Sequence, residues 1–199
     1  MRRMTWYDRS RRLFDCLLAV FCLVVFSPVF LVCYIAVKLG DRGPAIYSQE
    51  RIGMGGRPFM IYKFRSMDID AEKEGEELLQ SDNDPRLTKV GSFLRSHHLD
   101  ELPQFWNVLK GDMSFVGPRP ERQFFIDQIM QHDPRYEQLY QVRPGITSIA
   151  TLYNGYTDTM EKMLKRLEMD LYYIEHRSWW FDLKIISLTF IKIVFGKRF

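Results

Sequence analysis

The sequence predicts an α+β fold, mostly α, built as a single compact domain with an N-terminal membrane helix, a small β-hairpin and amphipathic helices that lie along an interface. Three observations predict it. A stretch of 25 residues from Leu13 to Val37 is almost wholly apolar. Two short runs rich in Ile, Tyr, Phe and Met flank the turn-forming cluster Gly53-Met54-Gly55-Gly56, which is the pattern of a hairpin. Through most of the remainder, apolar residues recur at helical spacing. A chain of 199 residues can bury one real core but not two of ordinary size with a linker. The boundaries drawn are therefore 1–40, a basic segment and membrane helix, and 41–199, a domain that closes on an interfacial helix.

Charge excludes some functions. The 28 Lys and Arg against 25 Asp and Glu leave +3, too near neutral for a nucleic-acid binder. Its placement is more informative: Arg2, Arg3, Arg9, Arg11 and Arg12 precede the apolar stretch, and Lys197 with Arg198 follow the last apolar run, an arrangement that suits an anionic lipid leaflet. Cys16, Cys22 and Cys33 lie inside the apolar stretch without Cys-x-x-Cys spacing. They read as small hydrophobes in a reducing compartment.

The stretch Leu13 to Val37 is interrupted only by Asp15. As a helix it would reach about 38 Å, enough for a hydrocarbon core of about 30 Å. It is too long for a secretory signal, and no small-x-small cleavage site follows it. Ser27-Pro28 sits near its middle, where proline kinks a helix, and cations flank both ends, with Lys38 and Arg42 on the far side. Basic flanks on both sides suit a helix that enters, bends at Pro28 and returns to the cytoplasmic face. Prolines are tolerated in ordinary spans, and the flank asymmetry alone would orient one, so these residues by themselves favour a simple span and leave the re-entrant helix open.

Strand periodicity over Phe59 to Phe64 puts Lys63 and Arg65 on one face, with Tyr62, Phe64 and Ser66 on the other. Ala71 to Gln80 is acidic and reads as a solvated helix or loop, and Ser81 to Pro85 as a turn. Helices are predicted over Lys89 to His97 and from Leu99 to Gly111, the latter with Leu99, Leu102, Phe105, Trp106 and Leu109 as its buried face and a glycine stop. Met113 to Val116 is a short strand, and Gly117-Pro118-Arg119-Pro120 must be a rigid turn that holds Arg119. Helices follow over Glu121 to His132 and Arg135 to Gln141. A longer one starts near Asp158, with Glu161 completing a capping-box spacing, and runs to about Arg177. Trp179 to Phe195 is apolar but carries Asp182, Lys184 and Lys192, which fits an interfacial helix as well as a helix packed on the core.

Phosphoryl transfer needs a nucleophile or positioned water, a divalent cation and fixed positive charge on the non-reacting oxygens. Asp100, Glu101, Lys63, Arg65, Arg95 and Arg119 are candidates to supply them. A carboxylate at a helix start stays ionised in the positive end of the dipole, although an isolated Asp-Glu pair there is more often a stabilising surface charge. His97-His98 has no further Cys or His at ligand spacing, so no zinc site is predicted.

The run Asp84-Pro-Arg-Leu-Thr-Lys-Val-Gly, then Leu-Arg95, then Leu-Asp100-Glu101-Leu-Pro-Gln-Phe-Trp-Asn-Val-Leu-Lys-Gly-Asp112-Met-Ser-Phe-Val-Gly-Pro-Arg119-Pro resembles the signature of the bacterial sugar transferases, the monotopic phosphoglycosyl transferases. Tyr62-Lys63-Phe64-Arg65-Ser66-Met67, Val142-Arg143-Pro144-Gly145-Ile146-Thr147, Ser27-Pro28 and the Asp170-Leu-Tyr-Tyr segment resemble it too, so the likeness covers about Arg11 to Ile193. It implies that Asp100 attacks the β-phosphate of a nucleoside diphosphate sugar, expelling the nucleoside monophosphate, and that a polyprenyl phosphate then takes the sugar-phosphate. It implies Mg²⁺ on Glu101, a phosphate and nucleotide site lined by Lys63, Arg95 and Arg119, and less directly Arg65 and Asp112. It also implies a helix that breaks at Ser27-Pro28 and re-enters the cytoplasmic leaflet of a bacterial inner membrane, where membrane lipids are partners.

Two stretches depart from the family pattern. Ser148 to Tyr156 replaces a run that usually ends in Asn-Gly-Arg, and His97-His98 stand where Thr-Ser is common, although histidine does not cap a helix as serine does. The resemblance implies a uridine nucleotide and undecaprenyl phosphate as the usual substrates. The sugar, the pathway among O-antigen, capsule, exopolysaccharide and glycoprotein assembly, and the oligomeric state, a homodimer included, are not fixed by the sequence. Two other classes stay in view: a metal-dependent phosphatase of lipid phosphates, and a non-catalytic membrane scaffold.

Overall fold

The structure, a computed structural model, describes residues 5–40, 43–69, 71, 84–155 and 157–195. The expectations for Arg2, Arg3, Arg42, residues 72–80, Ser81 to Asn83, Tyr156, Lys197 and Arg198 lie outside them.

Helix α1 (Trp6–Val25) opens on a capping box in which Thr5 and Asp8 exchange backbone and side-chain hydrogen bonds. Its inward face is Arg11, Asp15, Ala19 and Cys22, while Leu13, Leu17, Val20, Phe21 and Val24 face outward. The apolar face is thus the exposed one, the reverse of a helix packed in water. Phe26 ends α1, and α2 (Ser27–Gly40) continues at an angle of 63°. Pro28 is the second residue of α2, where no intrahelical N–H bond is lost, and Ser27 Oγ donates to the Val24 carbonyl at 2.8 Å. No single described helix is long and apolar enough to cross a membrane, and α1 with α2 meet that condition only together, as a bent pair.

The predicted hairpin forms: β1 (Ile46–Ile52) and β2 (Pro58–Phe64) are antiparallel, Ile46 facing Phe64 and Ile52 facing Pro58. Phe64 is buried against Phe30 of α2, ring centroids 4.7 Å apart. The next helix, α3 (Lys89–Ser96), is capped by Thr88, and its Gly91 lies flat on the Ser66 backbone. A Cβ there would fall 1.8 Å from the Ser66 carbonyl oxygen. Gly91→Ala is therefore expected to destabilise the fold by about 3 kcal/mol, read as a lower thermal midpoint in detergent.

The continuous helix predicted from Leu99 to Gly111 is interrupted. Leu99–Glu101 is a 3₁₀ turn entered from His98 in the left-handed region (φ 55°), and α4 (Gln104–Lys110) begins only after Pro103. Proline has no N–H with which to continue the ladder. The inward face of α4 is Gln104, Asn107 and Val108, and Trp106, predicted to be buried, is exposed. Gly111 closes the helix at φ 96°, as predicted.

Strand β3 (Ser114–Val116) pairs in parallel with β4 (Gly145–Thr147), a partner the sequence did not suggest. Between them lie α5 (Gln123–His132) and a 3₁₀ segment, Pro134–Gln141, where a regular helix was expected. Then come α6 (Ile149–Tyr153), capped by Ser148, α7 (Met160–His176) and α8 (Trp179–Val194). Thr159 caps α7 by accepting the Lys162 N–H, and Asp158 pairs with Lys162 at 2.6 Å, so the predicted Asp158–Glu161 capping box is not the one used. The main core gathers Val108, Met113, Ile126, Ile129, Leu167 and Ile185.

Both outer apolar helices are tied to this core by polar contacts. Ser114 Oγ and the Phe115 N–H donate to Asp15 at 2.6 and 3.2 Å. Tyr7 and Tyr173 each donate to Asp182 at 2.6 Å, and Arg11 pairs with it at 3.1 Å. Buried polar groups joined in this way define one docking geometry. On the other side of α8, Trp180 is 84 % exposed, with Leu183 and Phe190 also outward.

Candidate active site

Asp100 and Glu101 occupy the turn between α3 and α4, and Asp100 is only 5 % exposed. Lys63, near the end of β2, donates from Nζ to Glu101 Oε1 at 2.8 Å, and Arg119 Nη2 donates to the same oxygen at 3.1 Å. The turn carrying Arg119 is tied down by sheet hydrogen bonds as well as by its prolines. Gly117 donates its N–H to the Thr147 carbonyl at 3.0 Å and Gly145 donates to the Pro118 carbonyl at 2.9 Å. A Cβ on Gly145 would meet the Gly117 nitrogen at 2.1 Å.

The two adjacent carboxyls are held differently. Burial pushes Asp100 above the ordinary carboxylate range and neighbouring Glu101 adds to this, against the pull of Lys63 and Arg95. Burial opposes ionisation of Glu101 as well, but Lys63 and Arg119 outweigh it and hold Glu101 well below the usual range. Environments that drive neighbouring carboxyls apart mark chemically distinct roles. Burial lowers the basicity of Lys63 and of His98, whose ring lies among Glu101, Asp100, Arg119 and Lys63. Arg95 Nη1 is buried without a hydrogen-bond partner among the described residues, which suits an anionic ligand.

Of the residues singled out in the sequence, Asp100, Glu101, Lys63, Arg95 and Arg119 come together here. Arg65 does not project with Lys63 towards the carboxyls: its guanidinium fills the space beside Gly43, next to Ile69. Asp112 pairs with Lys110 at 3.2 Å. His97 packs on Phe93, ring centroids 4.3 Å apart. Among the described residues no group of three or more His, Cys, Asp and Glu forms a metal cage. Two adjacent carboxylates nevertheless fit Mg²⁺, which takes one or two carboxylates together with substrate phosphates.

Behind Arg119 lies a second layer that sequence reasoning left unassigned. Glu121 accepts from Arg51 at 2.5 Å and from Arg166 at 2.6 Å; burial opposes its charge, yet the two guanidiniums hold it down to about 2. Asp170 of α7 is 1 % exposed and lies close to the Arg119 backbone, with Oδ1 buried and without a hydrogen-bond partner among the described residues. Burial raises its carboxyl from 3.8 to about 7. The folded state therefore keeps a proton that the unfolded chain releases first, so stability falls as pH rises from about 4 to about 7 and is level above, by at most roughly 4 kcal/mol. Asp170→Asn keeps the size and shape of the side chain without the charge. Its thermal midpoint is expected to lose the part of this pH dependence due to Asp170 and to exceed that of the wild type at pH 8, read from melting curves between pH 5 and 8.

Residues 6–196 match the family described as bacterial sugar transferase. The chain is 43% identical over 190 residues to a UDP-N-acetylgalactosamine-undecaprenyl-phosphate N-acetylgalactosaminephosphotransferase of Aeromonas hydrophila, covering 96% of this chain and 45% of that protein. It is 48% identical over 184 residues to a UDP-glucose:undecaprenyl-phosphate glucose-1-phosphate transferase of Escherichia coli (strain K12), with 92% of this chain and 39% of that protein covered. A protein of Caulobacter vibrioides with the same description is 41% identical over 185 residues, covering 92% of this chain and 68% of that protein. The chain thus spans less than half the length of the first two relatives. With a family match over nearly its whole length and relatives at these identities, the chain belongs to the bacterial sugar transferases, a family of transferase enzymes.

Proposed function

We propose that this chain carries a phosphoglycosyl transferase site that moves a sugar-1-phosphate from a UDP-sugar to undecaprenyl phosphate in two steps. The observation that carries the reading is the buried Asp100 beside a Glu101 clamped by Lys63 and Arg119. In the first step an Asp100 oxygen attacks the β-phosphorus. The bond to the bridging oxygen breaks, its electron pair leaves with UMP, and a sugar-phosphoryl aspartate remains. In the second, an oxygen of the lipid phosphate attacks the same phosphorus and the Asp100–phosphorus bond breaks, restoring the carboxylate. Neither step requires a proton to be added or removed.

Lys63, Arg95 and Arg119 offset charge on the non-reacting phosphate oxygens in a site with little water, where such charges act most strongly. Mg²⁺ held by Glu101 would supply further charge neutralisation at the diphosphate. The donor and lipid are taken from the printed names of the relatives, each of which acts on a UDP-sugar and undecaprenyl phosphate.

The bent pair α1 and α2, with its outward apolar face, and the exposed apolar side of α8 support insertion into one leaflet of a bacterial inner membrane from the cytoplasmic face. A water-soluble nucleotide and a lipid phosphate would meet there. Tags at both ends are expected on the cytoplasmic side, and Pro28→Leu is expected to shift part of the population to a span. Protease access to the two ends of the wild type from opposite faces would exclude re-entry.

The reaction is tested by UMP release from a panel of UDP-sugars with undecaprenyl phosphate and Mg²⁺. Lipid-dependent UMP supports it and identifies the sugar. Release of inorganic phosphate from the lipid would instead indicate a phosphatase, and no turnover of any donor or lipid phosphate a scaffold.

A further inference from the structure

We propose that Asn107 is a positioning residue of this site: its side-chain amide acts as the missing third strand of the hairpin and thereby sets Lys63 against Glu101. The inference deepens the phosphotransfer reading and rests on it in its kinetic part. Strand β2 pairs with β1 on one edge, and alternate residues of an edge strand turn their backbone groups away from the partner. Met60 and Tyr62, two apart, are such residues. Asn107 Nδ2 donates to the Met60 carbonyl at 2.7 Å, and Asn107 Oδ1 accepts the Tyr62 N–H at 3.0 Å. A single amide plane therefore makes the two bonds that the N–H and C=O of one residue in a parallel neighbouring strand would make.

The rest of the residue is equally constrained. Asn107 is 0 % exposed, so water does not compete for these bonds. Its own carbonyl accepts the N–H groups of Gly111, Asp112 and Met113 at 3.1, 3.0 and 3.3 Å, which gives the side chain a fixed origin at the end of α4. On one side of this tie lies Lys63, next to Tyr62, and on the other lies Glu101, just ahead of α4. The 2.8 Å contact between them joins two elements whose backbones Asn107 holds in register. A lysine ammonium sits on a flexible stem, so the position of its strand decides where that charge rests.

Hydrogen exchange and kinetics together test this, comparing the wild type with Asn107→Ser, whose smaller side chain admits water to the strand edge. Exchange at the Tyr62 amide is expected to quicken about 10-fold or more, while peptides from α5 keep their rates. The kcat for UMP release is expected to fall about 10-fold or more with the donor KM within about 3-fold, as a small misplacement of a catalytic charge does. Added to Lys63→Met, the same substitution is expected to change the residual rate less than about 2-fold, because its effect runs through Lys63.

Unchanged exchange at Tyr62 overturns the inference, and so does an equal loss of rate in both backgrounds, which marks a packing role only. Should Asn107→Ser unfold globally, seen as exchange quickening throughout α5, Asn107→Asp keeps the size and the acceptor but loses the donor to Met60 and its longer contact with Asp112 and is judged by the same criteria. A wild type that turns over no donor would remove the reaction, not the placement, which the exchange rates then decide.

Discussion

Asp100→Asn is expected to lower lipid-dependent UMP release by about a thousandfold or more and yet leave the protein as stable as the wild type, or more so, at pH 8. The amide offers no anionic oxygen with which to form the phosphoryl bond, so the covalent route is closed and not merely slowed. Stability moves the other way because the Asp100 carboxyl is buried and its proton affinity is raised. An acid held above its unfolded value destabilises the fold once pH exceeds that value, and a neutral group of the same shape removes the penalty. Nucleotide release and a melting curve on the same preparation separate this outcome from simple unfolding, in which both would fall together.

Lys63→Met is expected to damage both properties. It leaves Glu101, a half-buried carboxylate, with Arg119 as its remaining salt-bridge partner among the described residues, and losing one side of such a pair costs up to about 3 kcal/mol. Turnover is expected to fall about 100-fold, the scale of one lost electrostatic contact to developing charge. Glu101 lies below its ordinary 4.5, so its stabilisation is present above that value and lost only as pH falls through the depressed folded value. Without Lys63 that loss moves to higher pH. Adding Glu101→Gln to Lys63→Met is expected to recover stability without recovering turnover, as denaturant titration beside the UMP assay would show.

The parts of this molecule legible in its sequence are those set by local chemistry. The glycine cluster after Ile52 marked the hairpin, Gly111 marked the end of α4, and the paired prolines marked the turn that carries Arg119. Asp100 and Glu101 were legible as a site through the long ordered motif around them; the dipeptide alone fits an ordinary first helical turn. What escaped depends on distant partners. Asp15 read as a blemish in an apolar helix because Ser114 and Phe115, which it joins, are about a hundred residues away. The three-residue strands β3 and β4 are too short to show a period, and their parallel pairing is decided by the close approach of Gly117 and Gly145. Arg65 shared a strand face with Lys63 in the pattern, but β2 ends at Phe64, and beyond that point the two-residue period no longer directs side chains. Asn107 fell within an apolar helical pattern, where nothing local marks it as the partner of a strand edge.

The central claim is that Asp100 carries the sugar-phosphate. Intact-protein mass spectrometry after mixing the wild type with the donor UDP-sugar and Mg²⁺, without lipid acceptor, tests it most directly. An adduct of one sugar-phosphate is expected that maps to the peptide containing Asp100, is absent from Asp100→Asn and disappears when undecaprenyl phosphate is added. UMP formed only in the presence of the lipid, with no adduct at any time, would mean direct transfer between the two substrates and would contradict it.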